Sequence, residues 1–355
     1  MHKTIAIIDC SIPINSRNQK IINSIKSYYP ESDIHIITWN REGLSLDKES
    51  NFHAYNCMAP YADAKAKIRG MFGFKKYIKN IFNQIHPDII IASHWSNLIL
   101  VADTKIKGQK LIYENLDIPT GGYVVRKITQ LFEKWALRKT DLIVHASRFF
   151  KPLYPQKIPQ IILENKPAFT PNLSSIKQRQ PLRISFIGSI RYKEILINLV
   201  DALKDDSRYE IYFHGSGEDL SFMQKYCKNI KNVIFTGKYK YDDVVKLYHQ
   251  SDIVWAAYPN RDFNVVYAIS NKFHESLFVG IPCVYSDHTK LADFVREKKI
   301  GLVVDPYDKN SIKKLFAKII DGTIDIDSIK ENMLKFQKQE TTWDIDFQKL
   351  KTFLK

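Results

Sequence analysis

The chain is 355 residues long, which is enough for two domains of ordinary size that each bury a core. Its formal net charge of +15 calls for an anionic partner: nucleic acid, an anionic membrane surface or a phosphorylated small molecule. Because the lysines are scattered and no DNA or RNA recognition motif occurs, we expect no nucleic-acid partner.

The cysteines and the hydropathy pattern indicate a reducing compartment. The four cysteines form no C-x-x-C pair, so we expect idle, reduced thiols. The N-terminal M-H-K-T-I-A-I-I-D lacks the long apolar run and cleavage site of a signal peptide. No run approaches the ~20 apolar residues that span a bilayer. We therefore expect a cytoplasmic protein, with a peripheral position at the inner face of the cell membrane as the alternative.

Apolar runs alternate with helical segments in the first half of the chain. Strands are predicted at 4–8, 33–38, 86–93 and 110–113, with a helix at 19–28 and a helix followed by a strand at 131–144. This repetition is typical of a doubly wound α/β domain. The loop after the first strand, D-C-S-I-P-I-N-S, contains no glycine and is not a dinucleotide fingerprint. The pattern argues against a nicotinamide or flavin enzyme.

The stretch 61–84 is the most basic amphipathic segment, with six lysines and arginines interleaved among aromatic and aliphatic residues. Such a segment can lie on an anionic membrane with its apolar side down. The alternative is a pair of surface helices whose aromatic side lies in the core, and we weigh that alternative slightly higher. Gly70 and Gly73 suggest a flexible turn that could grip an acceptor.

Three titratable residues follow predicted strands of the first half. His94 comes after the strand 86–93, and Glu114 and Asp117 come after the strand 110–113. Ligands of open α/β sheets bind outside the carboxyl ends of the strands, so each of the three is a candidate catalytic or acceptor-binding group. Helix capping or hydrogen bonding to loop backbone is an equal alternative for each.

Five prolines between 152 and 171 mark an irregular crossing, and we place the domain boundary after residue 172. A second series of strands is predicted at 183–187, 209–213, 233–236 and 251–256. Glycines, basic residues and one tyrosine that could contact a ligand follow three of these strands. They are Gly188, Arg191 and Lys193 after the first, Gly215 and Gly217 after the second, and Tyr258 in the loop 257–262 after the fourth.

The stretch 270–285 reads S-N-K-F-H-E-S-L-F-V-G-I-P-C-V-Y. Ser270 can cap a helix N-terminus, Phe273 and Leu277 recur at helical spacing, and Gly280 followed by Pro282 is a helix stop.

The opposite face of this predicted helix carries Asn271, Lys272 and Glu275. A helix start with a lysine is suited to phosphate, and a carboxylate one turn further in can accept hydrogen bonds from sugar hydroxyls. The alternative is an ordinary amphipathic helix with a solvated Lys–Glu face.

The segment resembles the N-K-x-x-E-x-L-x-x-G-x-P signature of GT-B fold, nucleotide-sugar-dependent glycosyltransferases similar to family 4, also called glycosyl transferases group 1. The turn after Ile187 is similar to the family's G-x-x-x-x-K turn, and residues 215–217 to its G-x-G. The resemblance covers most of 183–354 well and 86–147 loosely. Many members carry another glutamate eight residues before the one that corresponds to Glu275. This chain has Tyr267 at that position.

The resemblance implies two Rossmann-like doubly wound domains that face each other across a cleft. Residues 1–172 would form an acceptor-binding domain, residues 173–340 a donor-binding domain, and residues 341–355 a helix that returns to the first domain. It also implies that Glu275 holds the donor ribose, that Gly188, Arg191, Lys193, Gly215, Gly217, Ser270, Asn271 and Lys272 meet the diphosphate, and that Tyr258 faces the base.

We therefore expect transfer of a sugar from a UDP- or GDP-sugar to a hydroxyl of a glycan, glycolipid or lipid-linked acceptor in bacterial surface polysaccharide synthesis. Glu114 and Asp117, then His94, are the candidates for the acceptor proton. We expect no metal ion and no resident cofactor. A catalytically silent binding subunit and a non-hydrolysing sugar-nucleotide epimerase remain as alternatives, and retaining and inverting chemistry both stay open.

Overall fold

The computed structural model describes residues 3–45, 50–59, 64–167 and 179–355. The chain divides into two compact units, Met1–Asn165 together with Trp343–Lys355, and Lys166–Thr342. The predicted boundary after residue 172 lies outside the described residues, as do residues 61–63 of the basic segment. No described helix has the length and apolar character needed to cross a membrane.

The first unit is built on a parallel sheet of seven strands in the order β3-β2-β1-β4-β5-β6-β7. Near-continuous isoleucine and valine runs form its central strands, as expected for a parallel sheet that is buried on both faces. The strands are β1 (Thr4–Asp9), β2 (Asp33–Asn40), β3 (Phe52–Asn56), β4 (Ile89–Ser93), β5 (Lys110–Asn115), β6 (Leu142–His145) and β7 (Gln160–Ile162).

Helices cover this sheet. They are α1 (Ser16–Tyr28), α2 (Ala64–Ile85), α3 (Trp95–Val101), α4 (Tyr123–Leu137), a 3₁₀ turn (Lys151–Leu153) and the C-terminal helix (Trp343–Leu354). The C-terminal helix buries Trp343, Phe347 and Leu350 in the same core as the first strands.

The basic segment is one helix of 22 residues, α2, where the sequence predicted a pair, but Phe74 and Ile78 lie in the core as the second alternative predicted. Gly70 and Gly73 lie inside this helix and face aromatic side chains. A Cβ added at Gly70 would lie 2.1 Å from Cζ2 of Trp39, and one at Gly73 would lie 2.0 Å from the Tyr55 hydroxyl. The proposed flexible acceptor turn is therefore wrong: these glycines allow close helix–sheet packing.

The second unit repeats the plan with six parallel strands in the order β10-β9-β8-β11-β12-β13. The strands are β8 (Leu182–Ile187), β9 (Tyr209–His214), β10 (Val233–Gly237), β11 (Ile253–Trp255), β12 (Cys283–Ser286) and β13 (Leu302–Val304). Its helices are α5 (Lys193–Leu203), α6 (Leu220–Tyr226), α7 (Val244–His249), α8 (Phe263–Tyr267), α9 (Asn271–Val279), α10 (Lys290–Lys298), α11 (Lys309–Ile320) and α12 (Ile326–Gln337), with a 3₁₀ turn at Tyr241–Asp243.

In both sheets the strand order reverses beside the first strand of the unit, between β1 and β4 and between β8 and β11. Crevices at the carboxyl ends of strands next to such reversals are where doubly wound sheets bind ligands. The predicted fold class, two doubly wound α/β domains, is confirmed. The loops that follow β1 and β4 in the first unit, and β8 and β11 in the second, are therefore the places to look for a site.

Candidate functional site

Two glycine turns of the second unit touch each other at the ends of neighbouring strands. Gly188 follows β8 with φ +133°, and Gly215 follows β9 with φ +134°. A Cβ on Gly215 would lie 1.9 Å from the carbonyl oxygen of Gly188, and a Cβ on Gly217 would lie 2.3 Å from that of Ile190. No larger residue fits these positions without moving backbone, so the glycines create a close-packed floor.

Lys272 of α9 reaches the same floor. Its side chain is buried, and its ammonium lies so close to Gly188 that a Cβ there would come within 3.3 Å of Nζ. Nζ donates a hydrogen bond to the Tyr258 hydroxyl at 2.8 Å and lies 4.8 Å from the centre of the Phe186 ring. Among the described residues no carboxylate pairs with Lys272, so a buried positive charge is left without a counter-ion.

Arg191 and Lys193 follow the Gly188 turn, and the structure places them differently. The Arg191 guanidinium stacks 4.8 Å above the Tyr192 ring, which meets the Tyr258 ring edge-on at 6.1 Å. The Lys193 ammonium lies over the Phe222 ring at 5.0 Å. Tyr192 and Tyr258 thus connect Arg191 with the Lys272 head group, whereas no contact connects Lys193 with it in the described part of the chain.

Glu275 lies one turn beyond Lys272 and is also buried. Its Oε2 accepts a hydrogen bond from the Tyr248 hydroxyl at 3.0 Å, and its Oε1 accepts one from Tyr241 at 3.4 Å. Burial, and then the nearby carboxylate, raises the pKa of Tyr239 to about 12 and that of Tyr241 further. Both phenols stay protonated at neutral pH, so Tyr241 can keep donating its hydrogen bond to Glu275.

The start of α9 corrects one detail of the sequence prediction. Ser270 occupies the N-cap position, but its side chain makes no capping hydrogen bond, and its buried Oγ has no partner among the described residues. Asn271 is exposed, whereas every residue from Lys272 to Val279 is buried. The alternative of a solvated Lys–Glu face is therefore wrong, because the helix is buried all round.

In the first unit, His94 and Asp117 line a cavity of about 420 Å³ together with Trp39, Arg41 and Lys67. His94 adopts φ +76° at the start of α3, where its Nδ1 accepts a hydrogen bond from the Ser96 amide. Burial, then the charges of Lys67 and Arg41, lowers the pKa of His94 to about 4. The imidazole is consequently neutral at pH 7.

Glu114 does not line this cavity. It is fully buried at the end of β5, where Oε1 accepts a 2.7 Å hydrogen bond from Arg17 Nε and Oε2 accepts one from the Ser93 hydroxyl. Burial raises its pKa, while Arg17 and Ser93 act in the opposite direction. The geometry favours a structural role for Glu114, but through the side chains of Arg17 and Ser93 and not through the helix cap or loop backbone that the sequence suggested.

The sequence of the second unit matches a known protein family. Residues 174–336 match the family model described as glycosyl transferases group 1. This chain contains a glycosyl transferases group 1 domain and is a transferase. No curated protein sequence gave a significant match.

The solved structures that resemble this transferase share its GT-B fold along nearly the whole chain. Sucrose-phosphate synthase from Thermosynechococcus elongatus aligns with a TM-score of 0.76 and 11% identity over 99% of this chain and 98% of the other. HepE from Anabaena, in complex with UDP-glucose, aligns with 0.70 and 14% over 99% of each chain. The lipopolysaccharide outer core galactosyltransferase WaaB, in its apo form, aligns with 0.64 and 14% over 98% of each.

Sequence reasoning missed three tyrosines that lie around Glu275. Tyr239, Tyr241 and Tyr248 lie on the loop after β10 and on α7, some 30 residues before Glu275 in the chain. No spacing rule joins them to α9, because only the packing of α7 on α9 brings them together. Tyr267, which replaces the second glutamate of the family pattern, lies at the end of α8.

Proposed function

We propose that this transferase moves a sugar from a UDP- or GDP-sugar to a hydroxyl of a glycan, glycolipid or lipid-linked acceptor, in the synthesis of a bacterial surface polysaccharide. The proposal rests on the buried ammonium of Lys272 beside the Gly188 floor, which has no carboxylate partner among the described residues. A buried charge without a counter-ion is costly, and an anionic ligand would supply the missing partner. A diphosphate is the anion that this class of donor brings.

The proposed roles of the basic groups follow from the place where negative charge develops during sugar transfer. As the bond between the sugar C1 and the diphosphate oxygen breaks, negative charge grows on that oxygen. Lys272, the first amides of α9 and the Arg191 guanidinium could stabilise this charge before the reaction starts, without reorganisation. The φ values of Gly188 and Gly215 let backbone approach the phosphates closely.

Glu275 would hold the ribose. A carboxylate oxygen can accept more than one hydrogen bond, so Oε1 and Oε2 could bind sugar hydroxyls while Tyr241 and Tyr248 donate to them. The tyrosines would also fix the carboxylate in one orientation. In the first unit, Asp117 is the acceptor-side candidate that we retain, because it lines the cavity whereas Glu114 is enclosed.

Structural neighbours that bind nucleotide sugars or transfer sugars support this proposal. The Anabaena HepE structures contain UDP, UDP with glucose, or UDP-glucose. WaaB is a lipopolysaccharide outer core galactosyltransferase.

The test is ligand-dependent thermal stabilisation by a panel of nucleotides and nucleotide sugars, followed by transfer assays with the best donor. A ligand at a hundred times its Kd adds roughly 2.7 kcal/mol of stability. We expect Lys272→Met to abolish this stabilisation while leaving the ligand-free protein as stable as the parent, because it removes a buried charge. Lys290→Met is the matched control, since Lys290 also begins a helix but is exposed. Unchanged stabilisation in Lys272→Met would refute the proposal.

A catalytically silent binding subunit is the second candidate, and Tyr267 in place of the family's second glutamate favours it. Such a subunit would bind donor and lose binding in Lys272→Met, yet show neither transfer nor donor hydrolysis. An epimerase would instead convert the nucleotide sugar with no acceptor present.

A further inference from the structure

Helix α4 of the first unit presents large apolar side chains to solvent. Val124, Ile128, Leu131 and Trp135 recur at i, i+4, i+7 and i+11, which places them in one stripe along the helix. We call these four residues the apolar stripe. The exposed apolar side chains of α4, including this stripe, are Tyr123 (69% exposed), Val124 (66%), Val125 (56%), Ile128 (48%), Leu131 (66%), Phe132 (54%) and Trp135 (39%).

A second stripe, of cations, runs beside the first. Lys127, Lys134 and Arg138 recur at i, i+7 and i+11, about 60° around the helix axis from the apolar stripe, and all three are exposed. The one acidic residue of α4, Glu133, is buried and accepts hydrogen bonds from the hydroxyls of Tyr113 and Tyr154. The outer surface of the helix therefore combines apolar side chains with positive charge alone.

The packing of α4 explains why this surface is unusual. The helix is anchored on the first unit near its C-terminal end, where Glu133, Ala136 and Leu137 are buried. The apolar stripe nevertheless faces solvent, whereas the apolar face of a helix is normally covered. Contiguous exposed apolar residues of this extent mark a surface that meets another phase or molecule.

We propose that α4 docks on an anionic lipid bilayer, with the apolar stripe in the boundary between headgroups and acyl chains and the cation stripe among the headgroup phosphates. Aromatic and aliphatic residues on one side with lysine and arginine beside them are the features of interfacial helices. The charge pattern disfavours a second copy as the occupant. A two-fold interface on this helix would place identical cation stripes near one another.

The experiment is sedimentation of the full chain with vesicles of phosphatidylcholine alone or of an equal mixture with phosphatidylglycerol. The docking variant is Lys127→Glu with Lys134→Glu, and a second variant is Leu131→Gln with Phe132→Gln. The matched control is Lys76→Glu with Lys79→Glu on α2, which makes the same charge change at exposed positions of the other basic helix. Unchanged thermal unfolding shows that each variant is folded.

We expect the parent and the α2 control to bind the mixed vesicles, and both α4 variants to bind at least about tenfold more weakly, with charge reversal the more salt-sensitive of the two. A blue shift of tryptophan emission on binding should disappear in Trp135→Phe while binding persists. Failure of the parent to bind, or equal losses in the α2 control, would overturn the proposal. So would a parent dimer that the α4 variants convert to monomer without any vesicle binding.

Discussion

Two basic, aromatic-rich helices of the same unit, α2 and α4, have opposite relations to solvent. In α2, Phe74 and Ile78 are completely buried, with lysines such as Lys76 and Lys79 outside. In α4 the apolar stripe is outside. The difference lies in how much apolar surface each helix leaves outside the core: α2 exposes two large apolar side chains, Ile68 and Phe72, whereas α4 exposes seven. Composition alone does not separate the two cases.

The largest expected effect comes from making the same change on both helices. Phe74→Ala should lower the free energy of unfolding by about 3–5 kcal/mol, because it empties a fully enclosed site. Phe132→Ala should change it by less than about 0.5 kcal/mol, because that ring is 54% exposed. Urea unfolding of both variants measures the contrast. Equal losses of unfolding free energy in the two variants would mean that Phe132 is packed as tightly as Phe74. That result would contradict the contrast between α2 and α4.

A smaller effect is expected at the glycines. Gly70→Ala should destabilise the protein by about 1–3 kcal/mol, since its Cβ would meet the buried Trp39 ring and a well-packed interior resists added volume. This outweighs the ~1 kcal/mol gain in helix propensity. Gly122→Ala at the start of α4, where a Cβ meets nothing within 4 Å, is the control and should be close to neutral. A stabilised Gly70→Ala variant would contradict the close packing of α2.

Burial of histidine makes stability depend on pH. Burial lowers the pKa of His145 to about 4, below the ~6.5 of an unfolded chain. Between those values only the unfolded state binds the proton, so stability is full above pH 6.5 and falls as the pH drops towards 4. His145→Gln should reduce that loss by about 2 kcal/mol between pH 7 and 5, measured by urea unfolding at each pH. A parallel pH profile in the variant would contradict the assignment.

The smallest effect concerns the inner side of α2. Lys67 helps to lower the pKa of His94, so Lys67→Met should raise that pKa in an NMR titration. Lys76→Met, on the outer side of the same helix, is the control and should leave it unchanged. Equal shifts in both variants would show that the lowering is a general effect of net charge.

The comparison also shows how far sequence reasoning reaches. The central strands could be predicted because runs such as Ile89–Ser93 have no other stable location than a buried sheet. Gly188, and Lys272 with Glu275, could be picked out because each belongs to a local motif, the turn after Ile187 and the stretch 270–285.

Other features depend on tertiary packing, which no local pattern records. Strand β3 (Phe52–Asn56) was missed because it is short, partly exposed and at an edge of the sheet. The enclosure of Glu114 by Arg17 and Ser93 joins residues that are far apart in the sequence. The exposure of α4 depends on how far the core extends.

The central claim is that Lys272 and Glu275 hold a sugar diphosphate, and crystals soaked separately with UDP-glucose and GDP-mannose test it most directly. We predict that one of the two binds with a phosphate oxygen within hydrogen-bonding distance of Lys272 Nζ, beside Gly188, and with its ribose hydroxyls on Glu275. A bound nucleotide sugar whose diphosphate lies away from Lys272, with Glu275 contacting only its tyrosines, would contradict the account.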